Sequence, residues 1–292
     1  MKTKIPLFFF ALCLLTGCIE FATQTLSYRH DEKTDTLYIF QDYQGIFGAS
    51  KTNGLEPDEI EQLASVVKGG RTFFFNNWIT EYNQTTAKEL LAKEKGEIDK
   101  DPEYEAAIRA LAGLAVENIR VENVGLYKNK EGQLCGAQRI TIQHVSRLLT
   151  AVNKTIPYAA KELAKEDGKS EAEKQLLLKY ANSEEPAIQL KGNQIKVRFP
   201  LSSADYHEFT SDKQAAGIRA AGGVIAYRDG ILSITLGERD AKGVSITLPF
   251  SEKPYVSNAM TEAGRHGIKE SFDAKQTAAL FLAAPHSSDT TK

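Results

Sequence analysis

Five histidines, at positions 30, 144, 207, 266 and 286, are scattered along the chain, and two of them stand beside groups that could share chemistry. Glu262 and His266 are four residues apart, the spacing that places two side chains on one helix face. Such a pair supplies two metal ligands, whereas a zinc site needs three or four. The glycines of Gly264-Arg265-His266-Gly267 make this stretch read as a loop, and no metal site is assigned. Asp205-Tyr206-His207-Glu208 gathers four titratable groups. General acid–base chemistry needs such groups to converge in a cleft, but neighbours on a short helix point in different directions, so the stretch reads as a solvated face. Cys135 sits between Leu134 and Gly136 with no basic residue beside it. A thiol is activated by a nearby cation, so Cys135 reads as a buried structural thiol. There is no Gly-x-Ser-x-Gly elbow, no Walker loop, no Gly-x-Gly-x-x-Gly after a strand, no His-Glu-x-x-His and no Cys/His cluster. Nothing selects a carboxylate pair at glycosidase spacing. No catalytic residue and no cofactor is assigned.

The most unusual local feature is aromatic. Phe73-Phe74-Phe75, followed by Trp78, cannot all face one side of a strand or helix. Two readings follow. The preferred one is an interior segment buried between a sheet and helices. The other is a contact surface for a ligand or a membrane.

The N-terminus carries the most specific signal. Lys2 and Lys4 precede an apolar run over 5–15, far shorter than the roughly 20 residues a spanning helix needs. This is the pattern of a secretory signal. Leu15-Thr16-Gly17-Cys18 resembles the lipobox of bacterial prolipoproteins: a branched apolar residue, two small residues, then cysteine. The resemblance covers this segment alone. It implies that Leu15, Thr16 and Gly17 are read by the signal peptidase, that the Cys18 thiol receives diacylglycerol, and that the chain is cut before it. Two or three palmitate-like acyl chains would make attachment durable, at about 0.8 kcal/mol per buried CH₂, where one chain alone is marginal. The protein is then exported and anchored to the cell envelope. Ile19 in place of Asp after the cysteine implies the outer membrane if the organism is Gram-negative. The seven residues 19–25 read as a tether reaching about 25 Å.

Composition sets further bounds. Cleavage leaves 275 of 292 residues, enough for one large domain or two modest ones. With Lys2 and Lys4 removed, the formal charge is −4, and no basic block is present. That argues against nucleic acid and against a polybasic membrane patch. Cys13 leaves with the signal and Cys18 carries lipid, so Cys135 has no internal disulfide partner.

The elements that must position these residues read as alternating hairpins and helices. Hairpins are expected at 26–29 with 36–43, at 123–127 with 133–142, at 188–191 with 194–199, and at 224–228 with 231–236. The third turns at Gly192-Asn193, suited to type II′. It sets Leu190 opposite Ile195 and Ile188 opposite Val197 on an apolar face that includes Phe199. The fourth turns at Asp229-Gly230 and sets Tyr227 opposite Leu232 and Ile225 opposite Ile234. A further strand is expected at 244–248. Helices are expected at 57–68, from Thr86 to about 95, from a cap at Asp101 with Pro102 first, at 145–163 with a kink or break at Pro157, at 170–182, at 202–209, at 211–221 and at 277–284.

Hairpins interleaved with helices give an α+β fold with antiparallel sheets, arranged in two sub-domains. The expected division is a signal peptide at 1–17, the lipidated cysteine and tether at 18–25, an N-terminal α+β part at 26–165, a charged connection at 166–186, a C-terminal α+β part at 187–284 and a disordered tail at 285–292. The functional reading is a non-enzymatic lipoprotein that binds an envelope partner or organises the membrane surface. The alternative is an envelope-associated hydrolase with an unfamiliar site.

Overall fold

A computed structural model describes residues 19–49, 54–68, 82–99, 101–251 and 253–283. The chain begins with two long strands, β1 (Ile19–Asp31) and β2 (Thr36–Gly48), paired antiparallel along their whole length. Three helices follow: α1 (Pro57–Lys68), α2 (Gln84–Ala92) and α3 (Pro102–Asn118). Strands β3 (Ile119–Lys128) and β4 (Leu134–Ile142) form the second hairpin. Helices α4 (Val145–Ala164) and α5 (Glu171–Ala181) lead to β5 (Ile188–Lys191) and β6 (Gln194–Pro200). Then come α6 (Ser203–Ser211), α7 (Lys213–Ala220), β7 (Val224–Arg228), β8 (Ile231–Leu236) and β9 (Val244–Pro249). A 3₁₀ turn at Ser257–Ala259, α8 (Met260–Arg265), β10 (Ile268–Lys269) and α9 (Ala274–Ala283) complete the described chain.

The fold is α+β with antiparallel strands in two sheets. The first runs β10-β3-β4-β2-β1-β9 and the second β5-β6-β8-β7. The two-residue β10, beside β3, is parallel to its neighbour. The expected registers hold. Ile188 pairs with Val197 and Leu190 with Ile195, while Ile225 pairs with Ile234 and Tyr227 with Leu232. Gly192 has φ +55°, as the first central position of a II′ turn requires. Asp229 and Gly230 both have positive φ, the I′ signature. Ile195, Val197 and Phe199 are buried as expected, and so is Arg198 on the opposite face. That face is covered by α5, whose Tyr180 donates to the Arg198 carbonyl oxygen at 2.6 Å.

Several boundaries differ from the expectations. Residues 19–25 are not a tether: they are the first half of β1, and Ile19 and Phe21 are buried. The 166–186 connection does not separate the sheets, because β9 pairs with β1 and β10 with β3. One core takes Leu26, Ile39 and Ile140 from the first sheet and Val197, Leu232 and Ile234 from the second, with Val145 and Leu148 of α4 packed among them. Helix α2 starts two residues earlier than Thr86, because Asn83 caps it by accepting the N–H groups of Thr85 and Thr86. Helix α4 is continuous through Pro157. The hydrogen bond that proline removes is outweighed by packing, since Ala159, Ala160 and Ala164 are buried just beyond it. The Glu262 region is helical, as α8. Residues 15–18, 73–75 and 78 and the 285–292 tail lie outside the described residues.

Candidate functional site

The groups singled out for chemistry do not converge. His266 Nε2 lies 3.6 Å from Glu262 Oε1 at the end of α8, and Arg265 competes for the same carboxylate at 2.7 Å. Among the described residues no group of three His, Cys, Asp or Glu is placed to hold a metal ion. Asp205 is engaged in capping α6, where its N–H meets Ser202 Oγ at 3.1 Å and its carboxylate accepts the Ser202 hydroxyl at 2.6 Å. Tyr206 stacks on Tyr227 with ring centroids 4.2 Å apart, while His207 and Glu208 face solvent.

The first sheet does gather polar groups that hydrophobic patterning does not reveal. On the face closed by α9, Tyr127 donates its hydroxyl to Asp42 Oδ1 at 2.5 Å, and Gln44 donates to Asp42 Oδ2 at 2.9 Å. Cys135 is opposite Tyr127 in the ladder and fully buried. Burial pushes the Asp42 carboxyl above its usual range, opposed by the bonds from Tyr127 and Gln44. Burial, reinforced by Asp42, drives the Tyr127 phenol far above its ordinary value. Burial also pushes the Cys135 thiol up to about 11. Phe40, Ala137 and Ala278 seal the cluster, with Phe272 and Phe281 packed around it. A thiol and a phenol held protonated under a helix have neither the charge nor the access to act as nucleophiles. On the opposite face, Gln41 and Gln138 pair across β2 and β4, both fully buried, and Tyr43 donates to Gln41 Oε1 at 2.8 Å.

A second polar junction locks the sheets together. The Asn193 side chain accepts the His30 N–H at 2.6 Å and donates to the Ala241 carbonyl at 2.6 Å. The Tyr28 hydroxyl lies 3.1 Å from the Asn193 carbonyl oxygen and 3.2 Å from that of Leu236. The Gly192-Asn193 turn was legible in the sequence, but its role as a bolt between sheets was not, because its β1 partners His30 and Tyr28 lie 163 and 165 residues away.

A shallow depression of about 270 Å³ lies between α4 and α5, lined by Asp101, Tyr158, Lys161, Glu162, Lys165 and Leu178. Within it Lys165 bridges to Glu162, Tyr158 donates to Glu103 at 3.0 Å, and Lys161 lies over the Tyr158 ring.

The remaining candidate is the end of the fold that follows Cys18. Strand β1 starts at Ile19, whose N–H donates to Gln62 Oε1 of α1 at 3.3 Å. Beside it, Gly48 donates to Asn258 Oδ1 at 2.9 Å. The enclosed Glu59 carboxylate accepts the N–H groups of Ala49 at 2.7 Å and Glu56 at 2.9 Å. Glu20 is met by Lys253 and by Ser251 Oγ. Ile19, Phe21, Ile46, Leu63 and Leu126 pack together directly behind this edge.

Comparison with protein-family models, with curated proteins and with solved structures found no match.

Proposed function

We propose that this chain is a lipid-anchored protein of the bacterial cell envelope, attached through Cys18 and acting by binding rather than by catalysis. One observation carries the reading: the lipobox-like Leu15-Thr16-Gly17-Cys18 ends at the residue before β1, so cleavage ahead of Cys18 would remove the leader and leave intact every strand and helix of the described residues. Ile19 and Phe21 are core residues, so a cut later in the chain would damage the fold. The carboxyl, phenol and thiol beneath α9 are enclosed, so no catalytic role is assigned to that cluster. The partner belongs to the envelope and is not nucleic acid. Phe73, Phe74, Phe75 and Trp78, for which an interior position is the preferred reading, are the alternative contact surface for it. The outer membrane is the proposed location in a Gram-negative organism.

The test is metabolic labelling with palmitate in cells expressing the full chain or Cys18→Ser. The parent should take up label and fractionate with membranes. The variant should remain an uncleaved or mislocalised precursor without label. Normal labelling of the variant would overturn the reading.

A further inference from the structure

If Cys18 carries the lipid, the distance between bilayer and fold is set by covalent geometry. Consecutive Cα atoms are about 3.8 Å apart, and Ile19 is already fixed: it is buried, it pairs with Gly48, and its N–H is held by Gln62. Glycerol attached to the Cys18 sulfur lies at the boundary between acyl chains and headgroups. The headgroup layer on each side of a bilayer is only about 5–8 Å thick. Ile19 is therefore held within that layer or at its outer surface unless β1 unzips.

Resting on the lipid-anchor reading, we infer that the domain is seated end-on against phospholipid headgroups through the edge formed by Ala49, α1 and the Ser257–Ala259 turn, with the β1–β2 turn pointing away from the membrane. The edge is suited to this. Two of the charges nearest Ile19 are compensated, Glu20 by Lys253 and Glu59 by two backbone N–H groups, so neither of these is a bare carboxylate that contact would strip of water. Asp58 and Glu61 are exposed on α1 and would be repelled by an anionic surface, so the matching headgroups are zwitterionic. At about 3.3 Å per residue, β1 carries its far end roughly 40 Å from Ile19. Gly192, Asn193 and Ala241 gather at that far end around His30.

The experiment places a fluorophore on single cysteines introduced into the full-length lipidated protein, reconstituted in phosphatidylcholine vesicles containing a headgroup-nitroxide lipid. Ser257→Cys and Glu61→Cys mark the near edge, and Lys33→Cys and Lys242→Cys mark the far end. All four positions are exposed, and Cys135 is buried and will not compete. Most of the fluorescence should be lost at 257 and 61, and little at 33 and 242. Insertion of eight Gly/Ser residues between Cys18 and Ile19 should relieve the quenching at 257 and 61. Equal quenching at all four sites, stronger quenching at 33 and 242, or quenching at 257 and 61 that ignores the insertion would overturn the orientation while palmitate labelling left the anchor standing. A parent protein without palmitate would overturn the anchor, and the orientation with it.

Discussion

Tyr127 and Asp42, 85 residues apart in sequence, meet at 2.5 Å between phenolic oxygen and Oδ1 on the sheet face that α9 covers. Burial raises the carboxyl's affinity for its proton, and the bonds from Tyr127 and Gln44 only partly oppose this. The folded state therefore holds the Asp42 proton at pH values where the unfolded chain has released it. Stability then falls as pH rises from the unfolded value near 3.8 through the higher folded one. Urea unfolding across pH 4 to 8 should show that Asp42→Asn lacks this decline, so the variant gains on the parent as pH rises. Parallel curves would disprove it. Tyr127→Phe leaves a buried acceptor short of one donor and should cost about 1–3 kcal/mol at neutral pH.

The thiol beside this pair gives a separate check. Cys135 is fully buried and pushed up to about 11 by burial, so at pH 8 it remains a thiol shielded from solvent. A maleimide should leave the folded mature domain unmodified at Cys135 and label it rapidly in denaturant. Rapid labelling without denaturant would mean that α9 opens readily.

At the inter-sheet bolt, a Cβ on Gly192 would stand 2.2 Å from the Arg239 carbonyl oxygen, on a backbone already at φ +55°. Gly192→Ala should destabilise by more than about 1 kcal/mol, since strain of this kind costs roughly 1–3 kcal/mol. Asn193→Ala strips two hydrogen bonds from a buried position and should cost about 2 kcal/mol or more. The two residues share partners, so the double variant should lose less than the sum. Additive losses in denaturant melts would show that the turn does not act as one unit.

What could be read from the sequence was local. The registers at Gly192-Asn193 and Asp229-Gly230 follow from turn chemistry and alternation, and the start of α3 follows from Asp101-Pro102. The first half of β1 was hidden because it carries Thr23-Gln24-Thr25, and the end of β2 because Gln44-Gly45 follows Tyr43. A polar stretch reads as the end of a strand, yet Gln24 is buried and Gln44 donates to the enclosed Asp42. The pairing of β9 with β1 spans more than 200 residues and leaves no local trace. Of the candidate site, the cysteine and its motif were legible, but its closeness to the fold was not: Ile19-Glu-Phe-Ala-Thr-Gln-Thr25 mixes apolar and polar residues much as a linker does. Arg109 was likewise invisible as a structural clamp, because its role depends on loop carbonyls.

That clamp is specific enough to test. Glu105 is buried on α3 and accepts Arg109 Nε at 2.8 Å through one oxygen and the Gly96 N–H at 2.7 Å through the other. The Arg109 fork also donates to the carbonyls of Lys93 at 2.9 Å and Glu94 at 2.5 Å, pinning the loop after α2. Removing the arginine strands a buried carboxylate and two carbonyls. Loss of one partner from a buried pair costs about 3–5 kcal/mol, and partial exposure of Arg109 puts the expectation for Arg109→Ala at the lower end. Lysine keeps the charge but cannot span three acceptors in a plane, so Arg109→Lys should recover only a minor part of the loss. Replacing both residues, with Glu105→Gln and Arg109→Gln, removes the uncompensated charge and should be milder than Arg109→Ala alone. Thermal melts of the mature domain would decide among these. Full rescue by lysine would show that charge, not the fork, holds the loop.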